Sequence, residues 1–226
     1  MPGPVADRLA LPPSAQARYR RAVTNLPMLA SVPSLVVHQK KEMLEVFTDF
    51  ETRNRYEVLS PTGQTALYAA ETGGGAAAFL TRSFLKNKRP FTMHLVHPHG
   101  GVAFTLRRPW TWFFSELHVS DGNGQPVGMI DQRFAFFSRR FVINGANGQP
   151  LGEIHGPFFR PWTFRIVKGG QEVGKISKKW SGLLREAFTD ADTFGLQLSP
   201  AMEPALRVMA LAATFLIDFL YFEDRD

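Results

Sequence analysis

The stretch Ala205 to Glu223, ALRVMALAATFLIDFLYFE, constrains the fold more than any other part of the chain. From Val208 to Phe222 only Thr214, Asp218 and Tyr221 carry polar side-chain atoms. A helix of that length spans about 22 Å. A bilayer core is about 30 Å thick and calls for about 20 apolar residues. Asp218 falls inside the run, and a carboxylate at mid-depth costs about 2.5–3.5 kcal/mol even on an insertion scale. A helix that is apolar all round and does not cross a membrane has to be wrapped by protein.

The rest of the chain supplies a wrapper. Residues 1 to 32 carry Pro2, Pro4, Pro12, Pro13 and Pro27 with a small basic cluster at Arg18, Arg20 and Arg21, and read as a mobile arm. Leu35–His38 and Met43–Phe47 read as strands. A repeat follows, each copy a strand, a glycine turn and a second strand. Its copies begin at Tyr56, Phe91, Leu117, Phe141 and Phe164, with turn glycines at Gly63, Gly100, Gly124, Gly148 and Gly170. Three return strands share one pattern, Val127-Gly-Met-Ile130, Leu151-Gly-Glu-Ile154 and Val173-Gly-Lys-Ile176. Glycine supplies the positive φ that a tight hairpin needs. Five hairpins and the two leading strands make about twelve antiparallel strands. A sheet that wide closes, because closure removes its edges. Its lumen is too wide for the wall's own side chains to fill. The expected fold is mainly β: a closed twelve-stranded antiparallel barrel, residues 33–226, around a buried helix at 205–223. Asp218 then needs a basic or hydroxyl partner from the wall.

The chain of 226 residues has no cysteine, which removes disulfides, thiolate metal sites and S-acylation. Its net charge of +6 favours anionic partners. The first residues lack a charged segment followed by an apolar core, so no signal peptide is expected.

The segment Gly174 to Gly195, GKISKKWSGLLREAFTDADTFG, with Phe215-Leu-Ile-Asp-Phe219, resembles the phospholipid scramblase family. Asn54-Arg55-Tyr56-Glu57 and Arg89-Pro90-Phe91-Thr92 match it as well, and the resemblance runs from about Leu35 to Glu223. That family is similar in fold to the Tubby C-terminal domain, a twelve-stranded barrel around a hydrophobic C-terminal helix. The resemblance implies ATP-independent, calcium-stimulated movement of phospholipids between leaflets, without covalent chemistry. It also implies a membrane-associated protein on the cytoplasmic side. A rival expectation is a Tubby-like peripheral module that binds anionic headgroups and moves no lipid.

The resemblance also implies an EF-hand-like calcium loop starting at Asp190. Asp190 and Asp192 would stand at positions 1 and 3, but Phe194 at 5 and Ala201 at 12 are not ligands. Ca2+ is therefore expected to bind weakly, if those two aspartates do more than shape a turn.

In a barrel of hairpins, the connections between hairpins gather at the end away from the turns. Here they combine aromatics with cations. The first holds Phe84, Lys86, Lys88 and Arg89. The second holds Arg107, Arg108, Trp110, Trp112, Phe113 and Phe114. The third holds Phe136, Phe137, Arg139 and Arg140, and the fourth Phe159 and Trp162. Aromatics favour the membrane interface and cations favour anionic lipid, so these residues are the expected lipid contacts. The alternative is that the rings cap the barrel mouth.

His94, His97 and His99 do not make a metal site, because on a strand His94 points away from the other two. No nucleophile elbow, P-loop, dinucleotide fingerprint or zinc-protease motif occurs, and no catalytic residue is expected. Nucleic-acid binding through Lys175, Lys178, Lys179 and Arg185 would rest on charge alone.

Overall fold

The alternation of apolar and polar residues sets each strand. In Ser138–Gly145, the side chains of Arg139, Phe141 and Ile143 are buried, while Arg140, Val142 and Asn144 lie on the other face. The structure, a computed structural model, describes residue 29 and residues 31–40, 52–72, 89–178 and 193–222. Among these, the strands are β1 (Ser34–Lys40), β2 (Thr52–Leu59), β3 (Thr65–Thr72), β4 (Phe91–Val96), β5 (Val102–Arg108) and β6 (Glu116–Asp121). They continue with β7 (Pro126–Arg133), β8 (Ser138–Gly145), β9 (Pro150–Pro157), β10 (Thr163–Lys168), β11 (Gln171–Ser177) and β12 (Thr193–Leu198). The helix α1 spans Pro204–Tyr221.

Every strand pairs antiparallel with its neighbours in sequence, and β1 pairs with β12 to close the barrel. At that seam Leu35 stands opposite Leu196 and Val37 opposite Phe194. The hairpin turns follow the expected chemistry. Gly124 has φ 77° and donates its N–H to Asp121 O at 2.9 Å. Asp121 Oδ1 accepts from the N–H groups of Asn123 (2.9 Å) and Gln125 (2.8 Å). The twelve strands are one leading strand, five hairpins and the trailing strand β12. The second expected leading strand, 43–47, lies outside the described residues.

Helix α1 fills the lumen. Proline occupies its first turn, where a missing N–H costs nothing. Residues 205 to 220 are all buried, so the helix is apolar all round because the wall surrounds it. It is long and apolar enough to cross a membrane by length and composition, yet 89% of that stretch is buried inside the barrel. Asp218 Oδ2 accepts a hydrogen bond from the Tyr56 hydroxyl of β2 at 2.7 Å. The Tyr56 ring meets Phe215 edge-on, with centroids 5.1 Å apart.

The repeated glycine of the return strands has a packing reason. Gly128, Gly152 and Gly174 face inward beside side chains of α1 and the loop before it. A Cβ on Gly128 would stand 2.4 Å from Asn144 O and 3.1 Å from Met209 Sδ, one on Gly152 2.9 Å from Val167 O and 3.4 Å from Leu206, and one on Gly174 2.6 Å from Gln197 O and 2.8 Å from Met202. The missing side chains let the backbone of the neighbouring strand, and behind it the helix end, come close.

Arg207 bolts the same end shut. It is 1% exposed. Its guanidinium donates to the carbonyls of Ser199 (2.7 Å), Val32 (2.8 Å), Met202 (2.9 Å) and Leu29 (3.3 Å). Burial pushes its pKa down from the ordinary arginine value. Leu29 is itself part of the core, so the packed body begins before residue 33, inside the stretch read as a mobile arm. Residues 1–28 lie outside the described residues.

Candidate membrane interface

Three connections between hairpins present bare rings at the end of the barrel away from the turns. Between β5 and β6 these are Trp112, Phe113 and Phe114. Between β7 and β8 they are Phe134, Phe136 and Phe137, and between β9 and β10 Phe158, Phe159 and Trp162. Phe113 is 88% exposed, Phe137 85% and Phe159 80%. Several of these rings pack on aromatic neighbours in the same connection. Phe134 meets Phe136 at 4.8 Å between centroids, and Trp112 meets the half-buried Trp110 at 5.7 Å. The β7–β8 and β9–β10 connections are joined by a hydrogen bond from Phe158 N–H to Phe137 O at 3.5 Å. Capping the barrel mouth would bury these rings, and the structure leaves them in the open. Clustered exposed apolar groups of this kind mark an interaction surface.

The cations of these connections divide by strand parity. Arg107 is exposed, whereas its neighbour Arg108 points into the barrel and is 1% exposed. Arg140 faces out and Arg139 faces in. Arg89 is also buried. The assignment of Arg108 and Arg139 to lipid contact is therefore corrected, because adjacent residues of a strand point to opposite faces, and that of Arg89 because its side chain is buried against Glu71.

The buried cations surround the C-terminal end of α1. Arg89 pairs with Glu71, its Nη2 lying 3.1 Å from Oε2. Arg108 donates to Arg89 O and, at 2.8 Å, to Ser115 Oγ. Arg139 donates to the carbonyls of Pro161 (3.0 Å) and Gly156 (3.2 Å). Their guanidinium planes lie over rings of the helix end: Arg89 is 4.5 Å and Arg108 5.0 Å from the Phe219 centroid, and Arg139 is 4.9 Å from that of Tyr221. Lys178 Nζ sits 4.8 Å from the Phe222 ring. Cation–π contact and the negative end of the helix dipole both favour positive charge here. Burial pushes the Tyr221 phenol up to about 12, opposed by the nearby Arg139 charge and by its hydrogen bond with Gln132.

On the outer face Arg140 is held by Glu153 through contacts of 2.7 and 3.1 Å. The hydrogen bond from Arg140 lowers the Glu153 pKa and raises that of Arg140. Phe84, Lys86 and Lys88 lie outside the described residues, as do Lys179 and Arg185.

Asp190 and Asp192 also lie outside them, but the remainder of the twelve-residue calcium frame does not. Position 5, Phe194, is 2% exposed in strand β12 and packs edge-on against Phe222 at 5.6 Å. Gly195 and Leu196 are paired with Val36 and Leu35. Ala201 is an exposed residue without a ligand atom on its side chain. Glu203, the nearest acid, accepts from Lys168 Nζ at 2.6 Å. An encircling EF-hand geometry does not fit residues that form a barrel strand. His94 is held by Thr105, Nδ1 to Oγ1 at 3.1 Å, and burial lowers its pKa. Among the described residues no three His, Asp or Glu side chains gather as metal ligands.

Phospholipid scramblase 1 of Mus musculus is 35% identical over 212 residues, covering 88% of this chain and 63% of that protein. The chain thus spans somewhat under two thirds of that relative's length. Phospholipid scramblase family member 5 of Homo sapiens is 29% identical, covering 98% of this chain and 86% of that protein. A solved protein from Arabidopsis thaliana superposes with a TM-score of 0.47 at 9% identity, covering 83% of this chain and 92% of that one. The Scramblase family model matches residues 14–224, and the chain belongs to that family.

Proposed function

We propose that this protein moves phospholipids between bilayer leaflets without ATP, docking by its aromatic end. Family membership and the relatives named phospholipid scramblases support lipid movement. The observation that carries the docking is the set of bare rings in three adjacent connections. Phenylalanine and tryptophan at this exposure gain free energy by entering the boundary between headgroups and acyl chains. With α1 held inside the wall, that helix does not cross a bilayer in this conformation. Lipid movement then follows from local disturbance of the outer few ångströms of the bilayer by inserted rings. Calcium would act through Asp190 and Asp192 as a weak two-carboxylate contact, with Glu203 already engaged by Lys168.

The test is reconstitution into vesicles carrying a fluorescent phospholipid, with an impermeant quencher added outside, no ATP, and calcium present or chelated. Scrambling exposes inner-leaflet label to the quencher. The buried helix favours a second reading, a Tubby-like module that binds headgroups on the cytoplasmic side and moves nothing. Vesicle co-sedimentation without loss of inner-leaflet label would select that reading.

A further inference from the structure

Five neighbouring strands place a cation, or a group able to become one, in a single cross-strand row. Arg133 of β7 stands opposite Arg140 of β8, Arg140 opposite His155 of β9, His155 opposite Arg165 of β10, and Arg165 opposite Lys175 of β11. Their chain neighbours Phe141, Ile154, Phe164 and Ile176 are buried in the core, so the row faces outward. With strands about 4.8 Å apart, it extends roughly 19 Å around the wall.

The row lies just behind the aromatic connections. Arg133 directly precedes Phe134, Arg140 follows Phe137 by three residues, His155 precedes Phe158 by three, and Arg165 follows Trp162 by three. Three residues of strand rise about 10 Å. Rings sunk into the boundary between headgroups and acyl chains, which takes up about 5–10 Å of an interfacial element, would carry the row to the phosphates.

Charge is sorted along the strands as well. Asp131, Glu153 and Glu172 stand on the turn side of Arg133, His155 and Lys175. Glu153 holds both Arg140 and His155, whose Nε2 is 2.8 Å from Oε2, and Asp131 lies 3.4 Å from Arg133. Arg165 and Lys175 form no ion pair among the described residues. An anionic plane approached from the aromatic end meets cations before carboxylates.

Resting on the docking reading above, we propose that this row binds the phosphates of an anionic bilayer, with Arg165 and Lys175 as its principal contacts. The bare rings beside it favour a bilayer over nucleic acid as the anionic partner.

The experiment compares affinities of the full chain for phosphatidylcholine vesicles with and without about 30% phosphatidylserine, at about 0.1 M salt. Each cation near an anionic surface contributes roughly a factor of five. Arg165→Gln with Lys175→Gln is expected to weaken binding to the phosphatidylserine vesicles about 25-fold and to leave binding to phosphatidylcholine alone unchanged. Lys168→Gln removes one positive charge near the turn end of β10 and is expected to have little effect. Phe137→Ser with Phe159→Ser is expected to weaken binding to both vesicles. Unchanged phosphatidylserine affinity in the Arg165 and Lys175 variant, beside lost binding in the phenylalanine variant, overturns the row and leaves the docking end standing. A loss of about fivefold from Lys168→Gln overturns it too, because net charge alone would then explain the effect. No loss in any variant overturns both readings. Tighter binding to a DNA duplex than to vesicles, dependent on Arg165 and Lys175, assigns the row to nucleic acid and refutes its lipid role.

Discussion

Tyr56 and Asp218 are joined across the lumen by a hydrogen bond of 2.7 Å, the phenol of β2 donating to the carboxylate of α1. The contact ties the helix to the wall at a chosen height and rotation. Hydrogen bonds to charged groups contribute about 1.5–3 kcal/mol. Tyr56→Phe is therefore expected to destabilise the barrel by about 2 kcal/mol in urea denaturation. Combining it with Asp218→Leu should cost less than the sum of the two single changes, since apolar groups then replace both partners. Strict additivity would show that the pair does not couple.

Gly156 and Phe164 are a matched pair on β9 and β10. A Cβ on Gly156 would stand 2.5 Å from two atoms of the Phe164 ring, and that ring also lies under Arg139 at 4.3 Å. Gly156→Ala is expected to cost about 1–3 kcal/mol by overpacking. Adding Phe164→Leu should recover part of the loss, as measured by the denaturation midpoint.

The pH dependence at the alkaline end follows from Tyr221. Its pKa in the folded chain is raised to about 12 from an ordinary 10. The folded state thus favours the neutral phenol. Its contribution is fully present below pH 10 and falls away as pH rises from 10 through about 12. Ultraviolet titration of the folded protein should include a phenol step near pH 12, and Tyr221→Phe should reduce that step by one phenol.

The aromatic tips are expected to separate binding from stability. Phe137→Ser with Phe159→Ser removes rings that touch little of the core, so the thermal midpoint should stay within a degree or two. Burying a phenylalanine contributes about 1.5–3 kcal/mol, so loss of two should weaken vesicle binding at least about tenfold. A large fall in the midpoint would instead mark these rings as structural.

Much of this arrangement was legible in the sequence, and the residues show why. The glycine of each turn and the apolar run of α1 are local signals, and together they specify a rolled sheet with a core helix. The repeated glycine in Val127-Gly-Met-Ile130 and its two counterparts was visible as a pattern. Its reason, room for the carbonyls of Asn144, Val167 and Gln197 and for Met209, Leu206 and Met202, exists only once the strands and the helix are placed. The arginines were the hard part. Arg107-Arg108 and Arg139-Arg140 are each two adjacent cations, and composition treats both members alike. Strand parity sends one of each pair to water and the other to the rings of Phe219, Phe164 and Tyr221. The outward row from Arg133 to Lys175 depends on registers between strands, which no single stretch of sequence carries.

The seam between β1 and β12 has a consequence for how the protein is made. His38 bonds Thr193 across that seam at 3.0 Å, and the two are 155 residues apart. On the ribosome the chain emerges from its N-terminus, so the first strand waits for the last, and the filling of the lumen arrives later still. A nascent chain stalled before residue 204 would be an empty trough of hairpins with its apolar lining wet. The barrel can therefore close only after β12 and α1 have left the ribosome, and chains still lacking them keep that lining in water until then.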